Sequence, residues 1–372
     1  MNLILQLMNV RLLVASIFGL ILLPFSSLAD ENLKLVSHAE YAESTQVNEN
    51  LYVQIGGIKQ WITIRGKNYK NPVLLIIHGG PGNPLSLYAE NMYPNWDQEF
   101  TVVHWDQRGA GKTFEINQAT SELTYEELEQ TGLSMDLMVH DGLEITDYLR
   151  TKFKTEKIII SGSSWGSALA LTMVKKAPEK YYFYVGLSQL VNYQNNLKAS
   201  YELVLSKALS KGRKEDVAVL KAIGAPPWVD PKSFGKLRRI IRAYENQDTS
   251  NALNLVLGKE YLSQKSKAAY QAGEDFSYVK FVGLRGNGMA LQIALDKCCI
   301  ELKIPIYIIQ GEKDLLTTPK VTKQFFEKIN APAKTYINVT DCGHDPNLTM
   351  LNKQLNILKM ASKKIIYDNV LL

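Results

Sequence analysis

The sequence predicts an α/β fold: a mostly parallel sheet with helices on both faces and an inserted helical cap. Three observations lead there. Continuous apolar runs recur at Val73–Ile77, Phe100–Trp105, Lys157–Ser161, Tyr182–Leu187 and Ile304–Ile309, as in strands covered on both faces. Stretches of helical periodicity separate most of them. Between 191 and about 285 the strand rhythm stops and only helical patterns remain. Alternating strands and helices form a parallel sheet through crossover connections, and a helical stretch that interrupts the alternation reads as an insertion.

The elements follow in chain order. Met1 to Ala29 reads as a secretory signal peptide: Arg11 is its only charge, an apolar run spans Leu12 to Pro24, and Ser27 and Ala29 are small residues two apart before Asp30. The run is short for a membrane span, which needs about 20 apolar residues. Export to a periplasmic or secreted location is therefore expected, with an uncleaved N-terminal anchor as the alternative. Leu51–Ile55 and Lys59–Arg65 form a hairpin around Gly56-Gly57. Ser134 to Arg150 is a helix, Trp165 to Lys176 another, ended by Pro178. After the cap come the strand Ile304–Ile309, a helix from Pro319 to Ile329, a strand Thr335–Val339 and a last helix over about Leu348 to Ile366. The expected organisation is a signal peptide (1–29), a core made of 30–190 and 286–372, and a cap over 191–285.

Composition narrows the function. The chain has 372 residues, 46% hydrophobic and 21% charged, which excludes disordered, collagen-like and coiled-coil classes. A net charge of +5 is too small to mark a nucleic-acid binder. The cap is the basic part, with 14 Lys/Arg against 7 Asp/Glu over 191–270. Three cysteines, Cys298, Cys299 and Cys342, supply neither a disulfide framework nor a four-cysteine metal site. One bridge from Cys342 to the adjacent pair, or three free thiols, are the two readings.

The chemistry gathers around Gly162-Ser163-Ser164-Trp165-Gly166, which follows an apolar strand and opens a helix. This is the context a G-x-S-x-G nucleophile turn requires. Glycines flank the serine because side chains there collide with neighbouring backbone. The helix N-terminus behind it offers free N–H groups and partial positive charge. Ser164 is the nucleophile candidate. A serine needs a base, and of five histidines only His344 lies downstream, in Asp341-Cys342-Gly343-His344. The acid is expected after the preceding strand. Asp314 in Gln310-Gly311-Glu312-Lys313-Asp314 fits best, with Glu312 and Asp341 as fallbacks. Two backbone donors complete the set: the Trp165 N–H, and Gly80 or Gly79 from His78-Gly79-Gly80-Pro81-Gly82. His78 reads as a loop anchor, not a base. No metal or organic cofactor is implied.

These residues bear a resemblance. His78-Gly-Gly-Pro-Gly82, Asp106-Gln107-Arg108-Gly109 and Gly162-Ser-Ser-Trp-Gly166, in that order, resemble the proline iminopeptidase (prolyl aminopeptidase) branch of the α/β-hydrolase fold. The resemblance covers about 51–190 and 286–368. It implies a triad of Ser164, Asp314 and His344, a cis bond at Gly80–Pro81, and bracing roles for Asp106 and Arg108. Members of that branch hold the substrate's free amine with cap glutamates. Glu202, Glu245 and Glu274 are candidates here on charge alone. The expected activity is acyl transfer to water: an aminopeptidase first, an esterase, lactonase or amidase as the alternative, a non-catalytic binding protein last. The expected partner is a small molecule or short peptide, with no nucleic acid, and a membrane only if the N-terminal segment stays uncleaved.

Overall fold

The computed structural model describes residues 46–118, 132–250 and 252–370. Residues 1–29, read from the sequence as a signal peptide, lie outside them. Eight strands form one sheet in the order β1-β2-β4-β3-β5-β6-β7-β8. β1 (Val47–Ile55) and β2 (Ile58–Gly66) are the hairpin around Gly56-Gly57, and β2 runs antiparallel to β4 (Thr101–Asp106). From β4 onward, β3 (Val73–Ile77), β5 (Ile158–Ser163), β6 (Tyr181–Leu187), β7 (Ile306–Gly311) and β8 (Lys334–Val339) are all parallel.

The apolar runs explain this layering. Successive side chains of a strand point to opposite faces, so a run without polar breaks feeds two cores. Val73, Leu75, Ile77, Val103, Trp105, Ile158 and Ile160 enter one cluster, and Leu74, Ile76, Val102 and Ile159 enter the other. The first face is covered by α2 (Met135–Lys152), whose N-cap Ser134 accepts from Leu137 N–H, and by α3 (Trp165–Lys176). The second is covered by α8 (Leu348–Val370). β8, at the edge, is half-exposed. Cys299 packs in the first cluster and Cys342 in the second. The bridge from Cys342 does not form, and all three thiols are free.

Between β6 and β7 lie four long helices: α4 (Tyr193–Ser210), α5 (Lys214–Ile223), α6 (Pro231–Asp248) and α7 (Gln264–Val282). α4, α5 and α6 build a separate apolar cluster around Leu197, Val204, Leu220, Leu237 and Ile241. Leu315, from the loop after β7, is buried in that same cluster. Short helices escape the sequence reading, among them α1 (Gly111–Asn117). Seven residues are too few to display a period. α1 is held by tertiary contact instead, with Phe114 against Phe276 of α7 at a ring separation of 5.6 Å. Among the described residues no helix is long and apolar enough to cross a membrane.

Candidate active site

Every residue of the expected site lies just beyond the carboxyl end of a strand, where open α/β sheets carry their sites. Ser164 follows β5 with φ 54° and ψ −123°. That backbone is strained for a residue with a side chain and persists only where its surroundings enforce it. The two glycines show what enforces it. A Cβ at Gly162 would stand 2.2 Å from the Gly166 carbonyl oxygen, and one at Gly166 2.2 Å from the Ile77 oxygen. Backbone cannot retreat from such contacts. Gly166→Ala is therefore expected to cost at least about 3 kcal/mol, read as a fall in the denaturant midpoint, with activity lost alongside.

The serine is one end of a line. Ser164 Oγ lies 2.9 Å from His344 Nε2, and His344 Nδ1 lies 3.2 Å from both carboxylate oxygens of Asp314. Asp314 is fully buried. Its Oδ1 accepts from the Leu316 and Thr317 N–H groups at 2.8 Å each, and its Oδ2 from Gln310 Nε2 at 2.8 Å and Thr317 Oγ1 at 2.6 Å. Burial pushes this carboxyl up, but the imidazole of His344 and the Thr317 and Leu316 donors outweigh it and hold it down at about 2. For His344 the balance is the mirror image. Burial pulls it down, the Asp314 charge outweighs that, and its pKa ends above the ordinary imidazole value. The backbone carbonyl of His344 accepts from Ser188 Oγ at 2.6 Å, which fixes the loop.

The loop after β3 lies against the serine. A Cβ at Gly79 would sit 3.3 Å from Ser164 Cβ. The Gly80–Pro81 bond is cis. His78 is a loop anchor: its Nδ1 donates to the Gly79 oxygen at 2.8 Å and its Nε2 accepts from Gln107 N–H at 3.2 Å. Burial pulls its pKa down to about 4, so it stays neutral. Gln107 is the residue that the sequence reading left without a role. Its amide donates to the His78 oxygen at 2.9 Å and accepts from Trp165 Nε1 at 2.9 Å. It thereby ties the two loops that supply Gly80 and Trp165. The signal was present, since Gln107 belongs to the Asp106-Gln107-Arg108-Gly109 motif.

Asp106 and Arg108 brace, as expected. Asp106 is buried and accepts from Ser86 Oγ at 2.5 Å and Lys112 N–H at 2.9 Å. Arg108 forks onto Asp141 at 2.8 and 3.0 Å and onto the Gly56 carbonyl at 2.7 Å. The fallback acids are elsewhere engaged or apart. Glu312 is exposed, and the Asp341 carboxylate is taken by Lys313 and Ser250. Among the described residues, His140, Asp141 and Glu144 bring three ligand-type atoms together. Asp141 is committed to Arg108 and Gln60, and Glu144 to the Gly56 N–H.

The three glutamates of the helical segment part company. Glu202 is exposed on α4. Glu245 is buried, and its Oε1 accepts from Leu315 N–H at 2.8 Å. Glu274, half-buried on α7, has its Cα 3.0 Å from where a Gly82 Cβ would be, so it overhangs the His78–Gly82 loop. The phenols of Tyr88 and Tyr270 are raised by burial first and in part by its charge.

Comparison with known proteins agrees with this architecture. The family model for the alpha/beta hydrolase fold matches residues 72–203. A protein of Bacillus subtilis named as a probable aminopeptidase is 27% identical over 307 residues, covering 80% of this chain and 90% of that one. The proline iminopeptidase of Thermoplasma volcanium is 27% identical over 128 residues, 34% of this chain and 38% of that one. Among solved structures, the proline iminopeptidase of Mycobacterium smegmatis superposes with a TM-score of 0.58 at 17% identity, covering 86% of this chain and 98% of that chain. The chain has the α/β-hydrolase fold, and it is a hydrolase that resembles the proline iminopeptidase branch of that fold.

Proposed function

We propose that the protein is a serine aminopeptidase working through an acyl-enzyme, with Ser164, His344 and Asp314 as its triad. The observation that carries this is the unbroken line from Ser164 Oγ through the imidazole to Asp314, with contacts of 2.9 and 3.2 Å. Ser164 Oγ attacks the scissile carbonyl carbon while Nε2 takes its proton. Asp314 holds the Nδ1–H tautomer and stabilises the imidazolium. The Gly80 and Trp165 N–H groups receive the oxyanion. As the C–N bond breaks, His344 returns the proton to the leaving amine. Water then repeats the attack on the ester, with His344 as base.

What favours a peptide substrate over a simple ester is Glu274. Its backbone lies against the His78–Gly82 loop, its charge reaches the Tyr88 and Tyr270 phenols, and among the described residues neither an ion pair nor a hydrogen bond engages it. A substrate's terminal ammonium supplies the missing charge. In this reading the helices between β6 and β7 form a cap that selects the substrate.

A panel of proline, alanine and leucine anilides beside short-chain nitrophenyl esters tests the proposal. Turnover of anilides bearing a free amine is expected, together with a KM raised about tenfold or more in Glu274→Gln for anilides and unchanged for esters. Ester turnover without any anilide turnover would replace the aminopeptidase by an esterase.

A further inference from the structure

The C-terminal half of α6 is fastened to both loops that carry the acid and the base. Glu245, 5% exposed, accepts from the N–H of Leu315, the residue after Asp314, at 2.8 Å. The other oxygen of the same carboxyl rests on Gly343, the residue before His344. A Cβ there would stand 2.9 Å from Glu245 Cδ and 3.0 Å from Oε2. Leu315 meanwhile buries its side chain in the cluster of α4, α5 and α6. The attachment continues past Glu245. Lys313 donates to the Asp248 carbonyl and pairs with Asp341. Asn347 Nδ2 donates to the Ser250 oxygen at 2.9 Å and to the Asp341 oxygen at 3.0 Å.

We propose that Glu245 is a positioning residue: its carboxylate ties the Asp314 and His344 loops to α6 and places a second negative charge behind the imidazole. This rests on the triad reading above, and it assigns Glu245 a task other than receiving a substrate amine. One of its oxygens already accepts from Leu315 N–H, and the other packs against the Gly343 backbone.

The charge has a consequence for pH. Asp314 and Asp345 favour the charged imidazole and Arg238 opposes it, and Glu245, whose own carboxyl is pulled down by His344, adds to the first side. Glu245 is itself in the fields of Asp314, His344 and Arg238. The Cys342 thiol lies in the fields of Asp314, Glu245 and Asp345, and the Tyr336 phenol in that of Asp314. Burial first, and then the Asp314 charge, push the Glu245 carboxyl up to about 7 against the opposing pull of His344, Leu315 N–H and Arg238. An ionised Glu245 favours the imidazolium. Removing that charge lowers the pH at which His344 becomes protonated. The neutral imidazole is the form that activates Ser164, so the acid limb of the reaction moves to lower pH.

The experiment follows the rate at which a fluorophosphonate labels Ser164 of the full-length protein as a function of pH, and the turnover of a nitrophenyl ester lacking an amine. Neither readout depends on which peptide is the natural substrate. Glu245→Gln keeps an oxygen for the Leu315 N–H, so its plateau is expected near that of the unaltered protein, with the acid limb lower by about one pH unit. Glu245→Ala is expected to show the same displaced limb and a plateau about tenfold lower, the weight of one buried hydrogen bond, with the ester KM unchanged. Should Glu245→Ala fail to fold, the limb of Glu245→Gln decides alone. An undisplaced limb in Glu245→Gln overturns the proposal. So does a KM that rises only for amine-bearing anilides, which makes Glu245 a substrate receptor. Absence of labelling at Ser164 in the unaltered protein overturns the triad reading beneath it, and is told apart by that result.

Discussion

Ser164→Ala and His344→Ala are each expected to lower kcat/KM by about 10⁴–10⁶-fold, and the double variant to fall no further. In the proposed mechanism the two side chains perform one step. The hydroxyl is a nucleophile only while Nε2, 2.9 Å away, takes its proton, so removing either member removes the same event. The fold is expected to survive. Ser164 is only half-buried, its Oγ anchors no other described side chain, and alanine meets the same backbone strain at φ 54° that serine already bears. Progress curves on an anilide, with a thermal midpoint for each variant, separate lost chemistry from lost structure. Additive losses in the double variant would mean that the serine and the histidine act independently.

Asp314→Asn is expected to cost about 10⁴-fold in kcat through the wrong histidine tautomer. The structure adds a second penalty. Both carboxylate oxygens are surrounded by donors: two backbone N–H groups on Oδ1, and Gln310 Nε2 with Thr317 Oγ1 on Oδ2. Whichever way the asparagine amide turns, its NH₂ faces one of these pairs. A loss of about 1–3 kcal/mol in stability is expected for the buried mismatch. The acid limb should also shift to lower pH, because the charge that raises His344 is gone. Glu312→Gln is the control. Its side chain is exposed, and activity is expected to stay within about twofold. Near-full activity in Asp314→Asn with a large loss in Glu312→Gln would move the acid to Glu312.

The chain order shows which of this was legible before any coordinates. Ser164 was legible because its signal is local: an apolar strand, a helix and two glycines at positions where a Cβ would strike backbone. Asp314 and His344 were legible because a strand end precedes each of them and only one histidine follows the serine. The strand faces were legible as well, since runs such as Val73–Ile77 supply both cores. Glu245 was not separable from Glu202 by charge or by helical spacing. Periodicity says which residues share a face of α6. It does not say that this face meets the loops at Leu315 and Gly343. Leu315 itself reads as a loop residue, yet it completes the apolar cluster of the helical segment. Gln107 likewise acts through two partners, His78 and Trp165, that are far from it in the chain. What escaped the sequence is the pairing of distant elements.

The most direct test is the structure of the full-length protein after reaction with a fluorophosphonate. One phosphonyl group is expected, bonded to Ser164 Oγ, with its phosphoryl oxygen about 2.7–3.1 Å from the N–H groups of both Gly80 and Trp165, and His344 Nε2 facing the bonded oxygen. A phosphonyl group on Ser163, or an oxygen that points away from both amides, would contradict the proposed mechanism.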